Sequence, residues 1–328
     1  MTRLSWILLF GVPMLTASQE GLQLVEVRKI WGAAPHNAFT DLIRYRGEWL
    51  CCFREGKGHA GDAGRIRIIS SIDTKEWKSV AVLERENVDY RDPKLSITPD
   101  GKLLLVAAAA VPATRNPPTD HYTFVSTSTD GRHWSEPRKI IESWQWLWRL
   151  TWHQGTGYGV AYRWDPQEKQ CRYSAILYST RDGLAYTKVV EFAPPNCTEA
   201  TLRFDGDTMY CLQRRDGMPN SALLGVSKPP YNHWEWKDLG VYFGGPNFIK
   251  LPDGRWIAAG RIIQDKKAQT VLARLDVEQG KLIPLITLPS GGDTSYPGLV
   301  WHEGRLYISY YSSHEGRAAI YLAVVQVQ

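Results

Sequence analysis

The chain is poor in cysteine, with five residues at positions 51, 52, 171, 197 and 211 and no Cys-x-x-Cys spacing. An odd count without that spacing argues against zinc motifs and against a disulfide framework. Buried apolar thiols are the expectation. Runs of Lys or Arg are also missing. A net charge of +5 dispersed over 328 residues leaves no footprint for nucleic acid. Nothing past the N-terminus is apolar and long enough to span a bilayer. The N-terminus itself has the layout of a signal peptide: Arg3, an apolar run from Leu4 to Leu15, then the small residues Thr16-Ala17-Ser18. Residues 1–18 are therefore expected to be removed. One domain, 19–328, would remain in a secreted or periplasmic location, with no membrane span, since no linker or composition break divides it.

Aromatic residues are abundant, with 14 Trp and 16 Tyr. They suit β-sheet faces and the flat platforms on which sugars stack, although core packing also uses them. Trp144, Trp146, Trp148 and Trp152 alternate along one segment, which predicts a single sheet face first and a sugar-stacking rim second.

The chain repeats. Short polar turns fall at Arg46-Gly47, Asp100-Gly101, Gln154-Gly155, Asp205-Gly206, Asp253-Gly254 and Glu303-Gly304. Their glycines supply the positive φ that tight hairpins need. Each turn is followed by an apolar strand-like run, such as Trp49 to Phe53 or Leu306 to Tyr310. A second turn signal comes later in the first units, as Ser71-Ile72-Asp73-Thr74-Lys75-Glu76-Trp77 and Ser128-Thr129-Asp130-Gly131-Arg132-His133-Trp134. Looser copies begin at Thr180 and Ser227. A further strand follows each, including Leu239 to Phe243 in the fourth unit. The sixth unit ends one strand short, and the run Leu22 to Trp31 has no partner in its own unit. A unit of this length recurring six times predicts an all-β, six-bladed β-propeller, closed by the N-terminal strand completing the last blade.

The Ser-x-Asp-x-x-x-Trp turns resemble the Asp-box (BNR) turns of the sialidase, or neuraminidase, superfamily, from about residue 22 to the end. The resemblance implies a glycoside hydrolase with a Tyr nucleophile, a Glu that takes the phenolic proton, an aspartic acid, and an arginine triad for a carboxylate. A tyrosine suits an anionic substrate because a carboxylate nucleophile would repel it.

The positions about seven residues before and after each turn glycine converge at the open ends of the inner hairpins. They include Asp92 and Lys94, Arg163, Asn247 and Arg261, and four of the six blades put an arginine just after the second strand. Arginine grips carboxylates and sulfates with two parallel hydrogen bonds. By resemblance, Tyr296 stands at the nucleophile position and Glu199 with Arg215 at the Glu and following Arg. Arg214 and Arg215 have opposite parity, so one of them is expected in the pocket and the other in a structural ion pair. The Gly-rich loop Glu55 to Gly64 offers Asp62 as the acid, with Glu55 and His59 as competitors. Arg54, Arg215 and Arg261 would form the anion clamp. The family's blade-one arginine is absent, for that stretch reads Ala38-Phe39-Thr40-Asp41-Leu42.

The expectation is thus a retaining exo-glycosidase acting on an acidic sugar at glycan termini. A glycan-binding propeller without chemistry, and a carboxylate-pair glycosidase using Glu199 with Asp92 or Asp62, stay open beside it. No motif demands a cofactor or a metal, though an Asp-rich propeller has ligands for a structural calcium.

Overall fold

The computed structural model describes residues 20–115, 118–164 and 173–328. The segment read as a signal peptide and Cys171 lie outside them. The described chain is all β, in six four-stranded antiparallel sheets arranged as a propeller. β1 (Leu22–Trp31) precedes the first complete blade, which is β2 (His36–Tyr45), β3 (Glu48–Gly56), β4 (Arg65–Ser71) and β5 (Lys78–Leu83). Blade two is β6 (Asp89–Ile97), β7 (Leu103–Val111), β8 (Asp120–Ser128) and β9 (Arg138–Lys139). Blade three is β10 (Gln145–His153), β11 (Thr156–Trp164), β12 (Tyr173–Thr180) and β13 (Tyr186–Glu191). Blade four is β14 (Cys197–Asp205), β15 (Thr208–Arg215), β16 (Leu223–Ser227) and β17 (Glu235–Asp238). Blade five is β18 (Gly244–Lys250), β19 (Trp256–Gln264), β20 (Lys267–Asp276) and β21 (Lys281–Thr287). Blade six is β22 (Thr294–His302), β23 (Arg305–Ser312) and β24 (Ala319–Val327), with β1 paired to β24 as its outer strand.

Ring closure therefore follows the expectation from the repeat. Leu22 pairs with Val327 and Trp31 with Ile320, and Gln328 N–H donates to the Gly21 carbonyl at 2.8 Å. In a closed circle of blades the innermost strands are edges that face one another around the axis, protected from pairing with another chain. Apolar clusters fill the spaces between neighbouring sheets. One packs Leu50, Ile68, Leu95, Leu105 and Phe124 between blades one and two. Another packs Leu22, Ile257, Leu272, Ile308 and Tyr321 between blades five and six.

In three outer turns an aspartate accepts two successive backbone N–H groups. Asp73 takes those of Lys75 and Glu76, Asp130 those of Arg132 and His133, and Asp182 those of Leu184 and Ala185. The indole N–H groups of Trp77 and Trp134 close on the carbonyls of Thr74 and Gly131. The fourth unit departs from its predicted strand. Its outer strand is Glu235–Asp238 rather than Leu239 to Phe243, because Gly240, at φ 69°, turns the chain away directly after Asp238 pairs with Leu223.

Blades six and one approach closely at Gly298, where an added Cβ would lie 2.3 Å from Leu42 N and 2.8 Å from the Asp41 carbonyl carbon. Backbone cannot yield as a side chain does. Gly298→Ala should therefore cost at least about 2 kcal/mol, the middle of the overpacking range. A chemical-denaturation comparison with wild type checks this; an unchanged midpoint would mean that the two blades are not held at this distance.

Candidate active site

A strand presents its side chains to alternate faces, so none points naturally at the propeller axis. All six innermost strands solve this in one way. Each carries a two-residue bulge at the same level: Phe39-Thr40, Asp92-Pro93, Trp148-Arg149, Thr198-Glu199, Gly245-Pro246 and Tyr296-Pro297. A bulge adds a residue without a ladder partner and re-aims its side chain. Proline, with no N–H to leave unpaired, fits the second place in three of them. Phe39, Asp92 and Tyr296 have φ of 66°, 51° and 53°. Non-glycine residues in this region cost on the order of 1–3 kcal/mol each. Bonds between blades hold the bulges in place. Thr40 Oγ1 donates to the Tyr296 carbonyl at 2.8 Å, Thr201 Oγ1 to Pro246 at 2.7 Å and Ser295 Oγ to Gly244 at 2.9 Å.

The bulges bring Glu199 of blade four to Tyr296 of blade six. The Tyr296 hydroxyl donates to Glu199 Oε1 at 2.6 Å. Arg214 Nη1 donates to the same oxygen at 2.7 Å and lies 3.3 Å from Tyr296 Oη. Glu199 Oε2 accepts the Gly245 N–H at 2.8 Å. Burial alone would raise the Glu199 carboxyl, but Arg214, the Tyr296 hydroxyl and Arg261 together hold it below the usual carboxylate range. Burial, with the Glu199 charge beside it, lifts the Tyr296 phenol well above its ordinary value. Asp92 of blade two behaves oppositely to Glu199. Burial raises its carboxyl, and the Glu199 charge adds to the rise against the pull of Arg91 and Lys94.

The other residues singled out in the sequence divide between site and scaffold. Arg214 faces the cavity, also bonding Asp216 at 2.8 Å. Arg215, one residue on, points the other way to Ser221 and to Asp238 at 2.6 Å. Asp62 is taken up within its own loop by the Lys57 and Gly58 N–H groups and by Arg54. Burial opposes ionisation there, yet those donors keep its carboxyl low, so it is poorly suited to donate a proton. Arg54 is fully buried on Asp89, Asp62 and the Gly58 carbonyl. Asn247 bonds Pro297 O and Arg203, and the largely exposed Arg163 lies 3.9 Å from Glu191. Arg261 donates to Thr294 O at 3.1 Å and lies 3.3 Å from the Tyr242 hydroxyl. The expected clamp of Arg54, Arg215 and Arg261 is therefore not assembled: two of its three members serve the scaffold. Phe39 fills the blade-one position edge-on to Tyr296 at 5.3 Å, and Arg91 of blade two lies over its other neighbourhood, 5.1 Å from the ring centre.

Glu199, Arg214, Tyr296, Arg91, His59 and Trp146, among others, line a cavity of about 380 Å³. Arg91, His121 and Tyr162 are not singled out as pocket residues by spacing, and Trp146 only by the second reading of the tryptophan alternation, a sugar-stacking rim. The four tryptophans do not share one face, because the Trp148-Arg149 bulge breaks their alternation. Trp146 lines the cavity, while Trp148 is buried against Tyr296 at 5.3 Å. His36, His59 and Asp293 are the one group of His, Cys, Asp or Glu among the described residues close enough to share a metal ion. Here Asp293 accepts from both histidines, at 3.0 and 2.7 Å, and from Tyr311 at 2.6 Å. The buried His36 Nδ1 lacks the outer partner that metal-bound histidines usually have.

No protein-family model matches the chain, and no curated protein matches it in sequence. Solved structures do match. A Dyadobacter fermentans protein of unknown function is similar at 19% identity and a TM-score of 0.82, over 94% of this chain and all of that one. The α-L-arabinofuranosidase Arb93A of Fusarium graminearum is similar at 13% identity and a TM-score of 0.69, over 91% of this chain and 96% of that one. Trypanosoma rangeli sialidase is similar at 10% identity and a TM-score of 0.69, over 89% of this chain but only 55% of the sialidase. The chain thus has the propeller fold shared by sialidases and these arabinofuranosidases.

His121, at the cavity wall, is 5% exposed, and burial drags its imidazole down to about 4 from 6.5. Below pH 6.5 the unfolded chain takes up a proton here that the folded chain refuses. Stability should fall by about 1.4 kcal/mol per pH unit until about pH 4, or about 2 kcal/mol at pH 5. Denaturation of wild type and His121→Gln at pH 7.5 and pH 5 should show this loss reduced by that amount in the variant.

Proposed function

We propose that the protein is a retaining glycoside hydrolase that releases a terminal sugar, with Tyr296 as nucleophile, Glu199 as its base and Asp92 as the acid. The observation carrying this reading is the buried 2.6 Å bond between Tyr296 and Glu199, with Arg214 touching both oxygens. Tyr296 Oη attacks the anomeric carbon as its proton passes to Glu199. The glycosidic C–O bond breaks, and the departing oxygen takes the Asp92 proton. Asp92 then accepts a proton from the water that attacks the same carbon, and the released phenolate recovers its proton from Glu199.

The raised phenol is consistent with this sequence of events. Much of the rise comes from burial and from an ionised Glu199, and proton transfer removes that second obstacle. Negative charge then moves from carboxylate to phenol without leaving the reach of Arg214. The opposite displacement of Glu199 and Asp92 is the pattern of a base and an acid working at one pH. The same pattern favours a second reading, in which Glu199 attacks directly and Tyr296 only orients it. The neighbouring folds, an arabinofuranosidase and a sialidase by their names, support a carbohydrate substrate. Arg91 is the cation for an acidic substituent on that sugar: its nearest carboxylate oxygens are at 3.5 and 3.7 Å, and its Nε is unbonded. A signal peptide and an extracellular or periplasmic glycan substrate belong to the same picture.

Turnover of glycosyl fluorides and natural glycosides, including arabinofuranosyl and sialyl donors, tests this. Tyr296→Phe should lose at least about a thousandfold in kcat, as expected for removal of a nucleophile. A smaller loss there with a large loss in Glu199→Gln would replace the first reading by the second. Asp92→Asn, tolerated at a positive φ, should abolish cleavage of natural glycosides while sparing kcat/KM for fluorides, whose leaving group needs no proton, with kcat lowered because water then attacks without its base. Equal loss on both would remove Asp92 as the acid.

The pH profile follows from the two displaced carboxyls. Activity should rise on the acid side as Glu199 ionises, below the ordinary carboxylate range. It should fall on the alkaline side as Asp92 deprotonates, above that range. The alkaline limb of kcat/KM should be missing with fluoride substrates, whose leaving group needs no proton; its persistence there would assign the limb to another group.

A further inference from the structure

The cavity extends from the Glu199–Tyr296 pair along blade three, and that wall is aromatic. Register explains how it is built. Trp146 pairs with Tyr162 across β10 and β11, and Trp164 pairs with Tyr173 across β11 and β12. Directly opposed residues share a sheet face, and so do Tyr162 and Trp164, two apart on one strand. All four rings therefore stand on one face, and all four line the cavity. Trp146 lies nearly parallel to Tyr162, 20° between planes and 5.7 Å between centres. None is fully buried, so this is a surface left open by the neighbouring blades.

Two nitrogens in the wall have no partner among the described residues. Trp146 Nε1 and His121 Nδ1 are both buried and unbonded, and their rings lie 4.9 Å apart. Buried polar atoms are nearly always satisfied, and each exception calls for an explanation. His121 is kept neutral by burial, so its ring offers one donor and one acceptor, while the indole offers a donor only. A donor beside a group that can give or take a proton matches a sugar hydroxyl better than an anion. The flat rings match the apolar face of a sugar.

Resting on the hydrolase reading of the same cavity, we propose that this blade-three wall binds a second sugar ring, next to the one that is cleaved. The substrate class is then an oligosaccharide, not a single sugar on a non-sugar aglycone. Trp146, Tyr162, Trp164 and Tyr173 supply the platform, and Trp146 Nε1 with His121 bonds a hydroxyl of that ring.

Binding measurements separate this from catalysis. The full chain carrying Glu199→Gln is titrated calorimetrically with arabinose and arabinotriose, and with N-acetylneuraminic acid and sialyllactose. At least one trisaccharide should bind about tenfold or more tightly than its own monosaccharide, from the stacking and hydroxyl contacts together. That advantage should collapse in Trp146→Ala and in Trp164→Ala, each checked for an intact thermal transition; Trp164, at the end of its strand, keeps the test alive if Trp146→Ala does not fold. No trisaccharide advantage, or an advantage that survives in the folded variants, overturns the second-ring site. The hydrolase reading fails separately, if wild type turns over no fluoride or glycoside. A trisaccharide advantage without turnover would leave the site standing and the chemistry refuted.

Discussion

Everything at the mouth of this propeller depends on one backbone device used six times. An innermost strand with regular alternation would spend all its side chains on the two neighbouring blades. The bulge frees one position per strand to look along the axis, and the closed ring brings six such positions to one level. The cost is concentrated at Phe39, Asp92 and Tyr296, held at positive φ. It is offset by hydrogen bonds that cross from blade to blade, such as Thr40 to Tyr296 and Thr201 to Pro246. The bond from Thr40 to Tyr296 joins blades one and six and exists only when the ring is closed, so β1 on β24 also supports the site.

The bulges create an electrostatic problem as well as a geometry. Glu199, Asp92, Lys94 and Arg149 are all nearly buried, and isolated buried charges are expensive. Connection solves it unevenly. Arg149 bonds both oxygens of Asp41 at 2.8 Å, and Asp41 also accepts the Leu95 N–H. Glu199 has Arg214, Tyr296 and a backbone N–H. Lys94 is less well served, with carbonyls at 3.2 and 3.4 Å and the rings of Trp148 and Tyr296 at 4.8 and 5.7 Å. Burial lowers its ammonium accordingly. The saturated carboxylate stays charged, while the less saturated Asp92 drifts toward the neutral form. Two carboxyls of ordinary chemistry thus acquire different protonation from the number of donors each finds.

Period and turn chemistry are local, and they were legible. The six glycine turns locate the hairpins, and the unpaired run Leu22 to Trp31 announces the closure. Glu199 and Tyr296 could be aligned on one mouth by counting from those turns. Counting breaks down where the bulge adds a residue, because parity on the two sides of it no longer agrees. That is why Trp146 and Trp148 part company. Neighbouring Arg214 and Arg215 required coordinates to tell apart, since their parity names no face without a partner such as Asp238. Asp62, in a Gly-rich loop, looked more available than Asp92, although the loop exists partly because Asp62 organises it. A signal for Asp92 was present in the X-Pro steps: Asp92-Pro93, Gly245-Pro246 and Tyr296-Pro297 recur ahead of the turn glycines, and proline inside an inner strand marks a bulge.

The missing blade-one arginine has a structural counterpart. Phe39 occupies the bulge where a cation would otherwise enter, and it packs edge-on against Tyr296, Tyr311 and His59, at 5.3, 5.5 and 5.0 Å. A guanidinium there would be surrounded by rings, with Asp293 already committed to His36, His59 and Tyr311. Positive charge enters from blade two instead, through Arg91, which lies over the Phe39 ring and near that of Trp146. The cationic side of the cavity is therefore shifted toward the aromatic wall of blade three. An anionic group drawn to Arg91 would sit over aromatic surface on that side, away from Phe39, which requires a different orientation of the sugar from one gripped across blades one, four and five.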